Sequence, residues 1–211
     1  KWLSLRTINN HTMMQKVFIT LFIHFVAQTS YTQDSAYIRH ITEYQAKYVQ
    51  EHEVVKGNDK EKMQFFPASE KYRINARVER IYEAPWFSME TSGKVKKVHR
   101  VYAILHFNVN DTAVKLYVYQ SQKLMAIKEY AESLFIPFTD LTSGEESYEN
   151  GRYIDLTIQD LENGTYTIDF NKAYNPYCAY VSGVYNCPVP PAENNLAVAI
   201  RAGEKKFGDG H

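Results

Sequence analysis

Two cysteines, Cys178 and Cys187, are the side chains with the most chemistry available to them, and eight residues separate them. Three reactions compete for such a pair. Two neighbouring thiols in an exported chain join as a disulfide. A metal pair would want Cys-x-x-Cys spacing and histidines nearby, and the surrounding segment has neither. A nucleophilic Cys178 would need a base, and the nearest histidine upstream in the sequence is His106, on another element. Gly183 permits a tight reversal between the two, and Asn175-Pro176 and Cys187-Pro188 stiffen the flanks. The expectation is therefore a Cys178–Cys187 disulfide.

Other candidates are weaker. His99 and His106 fall on one extended run, and strict alternation would point them to opposite faces. His40 and His52 are too far apart on one helix to share a ligand. Glu145 and Glu146 are carboxylates suited to acid–base work, but adjacent acids in a polar loop are commonly solvated. Arg152, Asp155 and Asp169 read as outward-facing charges on two strands. They form either a solvated face or a polar cluster that holds a neighbouring loop. There is no Ser-His-Asp order, Gly-x-Ser-x-Gly elbow, P-loop or dinucleotide fingerprint. No metal and no cofactor is expected.

The elements that position these residues follow from hydrophobic period. Residues 34–54 repeat Tyr37, Ile41, Tyr44 and Tyr48 on one helical face, with Asp34 as cap and Gly57-Asn58-Asp59 as stop. Period-two alternation predicts strands over 71–82, from Trp86, over 98–109 and over 112–119, the last two joined at Asn110-Asp111. Further strands are predicted at 134–138, 152–158, 165–170 and 196–201, with Asn163-Gly164 as a second hairpin turn. With 17 Tyr and 11 Phe against nine Gly, the composition suits aromatic-rich strands. The fold expected is mainly β (α+β): an antiparallel sandwich or partly open barrel of seven to eight strands with one N-terminal helix.

Residues 1–32 stand apart. Lys16 is followed by an apolar run from Val17 to Ala27, broken by His24 and ended by Gln28-Thr29-Ser30. That is the pattern of a secretory signal with an upstream extension, and it is too short to span a membrane. A single β-rich domain over 33–211 is expected after cleavage between Gln28 and Asp34. The chain has 24 basic and 24 acidic residues, and without its first 32 it keeps 21 basic against 24 acidic, a net charge of −3. No basic excess marks a nucleic-acid partner. The expected location is the periplasm or cell envelope.

Residues 171–195 form a long aperiodic segment that holds both cysteines, four Pro and the tyrosines Tyr174, Tyr177, Tyr180 and Tyr185. Rings of this number want burial, and their hydroxyls want partners, so an ordered loop is expected. A resemblance becomes specific here. Leu134 to Tyr148, Gly151-Arg152-Tyr153-Ile154-Asp155, Asp169-Phe170-Asn171-Lys172-Ala173-Tyr174-Asn175-Pro176-Tyr177-Cys178-Ala179-Tyr180, Cys187 to Asn194 and Ala202-Gly203-Glu204 together resemble the bacterial domain-of-unknown-function family numbered 1684, over roughly residues 35–206. The resemblance implies an intact domain and an important loop, and it supplies no reaction.

Two functions are carried forward. The first is an exported protein that binds a small molecule or an envelope partner in a pocket covered by the loop. Its expected binding set is Arg152, Asn171, Tyr174, Asn175, Tyr180, Glu193 and Asn194. The second is a hydrolase-type enzyme using Cys178 or a carboxylate with Arg152.

Overall fold

The computed structural model describes residues 35–208. The proposed export signal and the Asp34 cap lie outside them. Contacts divide the chain between His40 and Ile41, and the fold below is that of the second unit.

Helix α1 occupies residues 35–51. Ile41 is fully buried, and one helical face carries Gln45 and Tyr48 onward to His52. The helix stops three residues before the expected 54. His52 takes over as the stop, because its Nδ1 accepts from the Val55 amide at 2.9 Å. Gly57 instead opens a short 3-10 turn, Gly57–Lys62.

Seven strands follow: β1 (Arg73–Arg80), β2 (Phe87–Met89), β3 (Lys97–Val109), β4 (Thr112–Ser121), β5 (Ser133–Phe138), β6 (Arg152–Thr157) and β7 (Thr165–Asp169). They make one antiparallel sheet in the order β6-β5-β4-β3-β1-β7, with β2 paired to β3, and the sheet curls into a half-barrel. Of the two expected architectures, the partly open barrel is the one found. Asn110 turns the β3–β4 hairpin with a φ of 50°, a left-handed conformation that asparagine tolerates.

The inner face holds the core. Ala103, Leu105, Leu116, Val118, Ile136, Ile154, Ile168 and Phe170 pack there with almost no exposure. Tyr102 is a bulge residue: Val101 pairs with Tyr119, whereas Ala103 pairs with Val118. The extra residue reverses the alternation upstream of it. His99 therefore shares the outer face with His106, contrary to the strict-period reading. The two remain at opposite ends of the strand, His99 against Phe135 and His106 beside Glu79.

Two further expectations change. Strands β6 and β7 do not pair as a hairpin; β6 lies against β5 and β7 against β1. The chain leaves β6 because the Asp160 carboxylate accepts from the Thr157 amide (2.7 Å) and hydroxyl (2.8 Å), and Leu161 then plugs the core. Residues 196–201 form no ladder strand. Leu196 and Ile200 are still buried alternately, but the backbone bonds only at points, such as Leu196 N–H to Thr139 and Leu141 N–H to Val198.

α2 (Gln122–Met125) is a single turn after β4, capped by Ser121. Among the described residues, no helix is long and apolar enough to cross a membrane.

Candidate functional site

The outer face of the sheet carries a second, aromatic layer. Phe87 stacks on Tyr119 (5.9 Å between centroids), Tyr119 on Phe135 (6.1 Å), Phe135 on Tyr153 (5.7 Å) and Tyr153 on Tyr174 (5.9 Å). Tyr174 meets Tyr48 of α1 at 6.0 Å. These spacings suit edge-to-face ring packing. Strands β4, β5 and β6 supply Tyr119, Phe135 and Tyr153 from the side opposite the core, so both faces of these strands are covered.

The segment 171–195 crosses this layer as a strap. It starts beside β6, where Tyr153 and Tyr174 exchange backbone hydrogen bonds of 2.9 and 3.0 Å. It reaches the far side at β2, where the Ser92 amide bonds to Cys187 and the Val189 amide to Glu90. Cys178 and Cys187 are joined as a disulfide, with Cα atoms 6.2 Å apart. The Tyr153 hydroxyl donates to the Pro188 carbonyl and pins the strap midway.

Most of the expected binding residues turn out to hold this strap in place rather than face a ligand. Asn171 is fully buried; its amide exchanges two 2.9 Å bonds with Ser69. Asn194 is fully buried between β4 and β5, where those strands diverge. Its Oδ1 accepts from the Tyr117 amide at 2.7 Å, and its Nδ2 donates to Tyr117 O (2.9 Å) and Pro137 O (2.7 Å). One side chain thereby acts as a length of strand. Asn175 is fully buried and donates to Lys205 O at 2.7 Å. Glu193 is exposed and accepts from the Tyr119 hydroxyl at 3.0 Å, outside the cavity.

Arg152 is sealed at 1% exposure instead of facing solvent, because it shares the inward side of β6 with Ile154 and Leu156. Its Nη2 bonds to Asp140 Oδ2 at 2.6 Å and to the Ile200 carbonyl at 2.9 Å. Glu204 lies nearby, fully buried, accepting from the Asn175 amide (2.9 Å) and the Tyr180 hydroxyl (2.7 Å). Burial pushes the Glu204 carboxyl up to about 7 against the opposing pull of these donors and of Arg152. Gly203 makes this placement feasible: its φ is 76°, and a β-carbon there would fall 2.5 Å from the Ala173 carbonyl oxygen.

Beside the strap lies a half-enclosed cleft of about 1230 Å³. Its floor is the Phe135 and Tyr153 rings, the strap adds Tyr174 and Pro188, and α2 adds Lys123 and Leu124. Tyr174 is the one member of the expected set in its lining. His99 also lines it, its Nδ1 3.0 Å from the Lys97 carbonyl; burial lowers its pKa, so the neutral ring is favoured. Asp155 opens to the cleft from β6 and accepts from the Tyr174 hydroxyl at 2.9 Å. Burial raises its carboxyl above the usual range, and the tyrosine bond partly opposes this. A second depression of about 760 Å³ over the β3–β4 hairpin, lined by Asn75, His106, Phe107 and Lys115, is more open to solvent and has Phe107 alone as its ring.

Sequence reasoning missed Phe135, Tyr153, His99 and Asp155 as lining residues. A signal was present: rings at 119, 135 and 153 all sit on the strand side opposite the core. The hydrolase residues do not assemble, since Cys178 is tied up with Cys187 and Arg152 is sealed against Asp140. Among the described residues, no three His, Cys, Asp or Glu side chains are grouped to hold a metal.

A curled antiparallel half-barrel with a disulfide-stapled strap across its outer face thus defines the class. The chain belongs to the family described as Protein of unknown function (DUF1684), which matches residues 58–205. It is similar to the solution NMR structure of an uncharacterised protein of Haloarcula marismortui, at 29% identity and a TM-score of 0.60, over 79% of this chain and 92% of that one. No curated protein sequence matches.

Proposed function

We propose that this chain is an exported envelope protein whose domain binds a small organic molecule in the cleft beside the strap. The cleft carries the reading. A concave site with an aromatic floor and a few fixed polar groups is what an organic ligand of modest size requires. Here the floor is Phe135 and Tyr153, and the polar groups are Asp155, Tyr174 and His99. Export is supported by the apolar run after Lys16 and by a disulfide of the kind that persists in oxidising compartments.

Native mass spectrometry of the protein purified from its host envelope tests both halves. A retained small molecule and a chain beginning between Gln28 and Asp34 are expected. Ala126→Trp, placed on an exposed lining residue, should abolish the ligand peak while the fold persists. A chain that keeps Met14 removes the export reading. Ligand that stays bound to the tryptophan variant removes the cleft reading.

A further inference from the structure

Two lysines of the cleft lining, Lys97 and Lys123, are close enough for the charge of one to act on the other. Lys97 comes from the start of β3, on the same outer face as His99, and Lys123 comes from α2. Neither forms an ion pair among the described residues, whereas their neighbour Lys96 is paired with Glu90. Lys97 is held below the usual lysine range by burial and by the charge of Lys123. Two cations thus border one cleft with no carboxylate within ion-pair distance of either among the described residues, beside the Phe135 ring. The acids of the same cleft, Asp155 and Asp160, are occupied by Tyr174 and Thr157 respectively.

From this arrangement we infer that the cleft takes an anionic amphiphile: an acidic head between Lys97 and Lys123, and an aliphatic or aromatic body over Phe135 and Tyr153. The inference rests on the cleft reading above and adds the charge and polarity of the ligand. An acidic head would relieve the lysine repulsion, and the body would cover the Phe135 ring, which the strap leaves partly exposed. Carboxylate, sulfonate and phosphate heads share this chemistry. Exposed Val95, Leu124 and Tyr130 around the mouth extend the apolar surface for a longer chain.

The test uses three probes with one body: decanoate, decanol and decyltrimethylammonium, titrated calorimetrically into the full chain at low salt. Decanoate is expected to bind about tenfold more tightly than the other two, a difference of about 1.4 kcal/mol. Lys97→Gln combined with Lys123→Gln should bring decanoate to the level of decanol and leave decanol unchanged. Lys128→Gln, outside the cleft lining, should change nothing. Equal binding of decanoate and decanol to the unaltered protein would overturn the head-group assignment while leaving the cleft reading intact. The head-group assignment falls equally if Lys128→Gln weakens decanoate as much as the double variant does, or if the cationic probe binds best. Failure of all three probes to bind the folded protein would overturn the cleft reading and this inference together.

Discussion

Arg152 Nη2 lies 2.6 Å from Asp140 Oδ2, with the two side chains 1% and 0% exposed. The guanidinium also donates to the carbonyls of Ala202, Ile200 and Glu204, so one residue of β6 fastens both the 140–148 loop and the C-terminal segment. Removing one partner of a buried pair strands the other charge, and Asp140→Ala is expected to cost about 3–5 kcal/mol. Apolar replacement of both partners often rescues such pairs. Here it would leave three backbone carbonyls without donors, so Asp140→Leu with Arg152→Met should stay well below the parent in a urea titration. A double variant as stable as the parent would mean those carbonyl bonds contribute little.

Asn194 replaces a strand where β4 and β5 part. Asn194→Ala leaves the Tyr117 amide and the carbonyls of Tyr117 and Pro137 without their partner. Buried groups left unsatisfied cost about 1–3 kcal/mol each, so a loss of at least about 3 kcal/mol is expected by chemical denaturation. A loss under about 1 kcal/mol would show that water replaces the amide without strain.

The sheet was legible in the sequence, the strap's role much less so. Alternation of Ala103, Leu105 and Phe107 against Val114, Leu116 and Val118 reports burial directly, because a strand's period is fixed at two. The bulge at Tyr102 was hidden, since one inserted residue leaves composition unchanged. Asn171, Asn175 and Asn194 looked like ligand groups because an amide's partners lie far along the chain: Asn194 reaches Tyr117, and Asn171 reaches Ser69. Polar spacing does not record such distances. Strand pairing across a crossover is equally silent, which is why β6 and β7, adjacent in sequence, sit at opposite ends of the sheet order.

Glu204 sets a pH dependence. Its folded carboxyl titrates near 7, above the ordinary 4.5 of the unfolded chain. Between those values the folded protein holds a proton the unfolded chain has released, so the group's stabilisation is complete below about 4.5 and is lost as pH rises through 7. The loss amounts to ~3 kcal/mol at most. His52, lowered by burial, works in the other direction on the acid side. The difference between parent and Glu204→Gln isolates the carboxyl. The variant should gain on the parent steadily from pH 4.5 to 7.5 in denaturation midpoints, and a constant difference would show that Glu204 does not titrate there.

Reduction of Cys178–Cys187 should loosen the strap before it touches the core, because the bond links strap residues and the sheet ladders run elsewhere. Closing so short a loop is worth roughly 2–3 kcal/mol on the chain-entropy model. The Cys178→Ser, Cys187→Ser variant should melt lower, and decanoate should bind it more weakly, since Pro188 and Tyr174 line the cleft. Unchanged binding would show that the hydrogen bonds from Tyr153 and Asn194 hold the strap by themselves.

Tyr174 and Asp155 are coupled through one bond, the 2.9 Å donation from the phenol to Oδ2. Burial holds the Asp155 carboxyl above its usual range, and this donor pulls it back by stabilising the anion. In Tyr174→Phe the ring still packs on Tyr153 and Tyr48, while the anion loses its donor. The Asp155 pKa should therefore rise further. A carboxyl whose folded pKa is raised favours the fold while protonated and loses that advantage as pH climbs through the folded value. The variant should accordingly be close to the parent near pH 4 and fall behind it at pH 7.5, by about 1 kcal/mol or less, because solvent screens a bond to an exposed carboxylate. Carbon-13 titration of the Asp155 carboxyl gives the first quantity, and urea midpoints at the two pH values give the second. A pKa that falls, or a stability deficit independent of pH, would mean that the phenol acts on the cleft through packing and not through its proton.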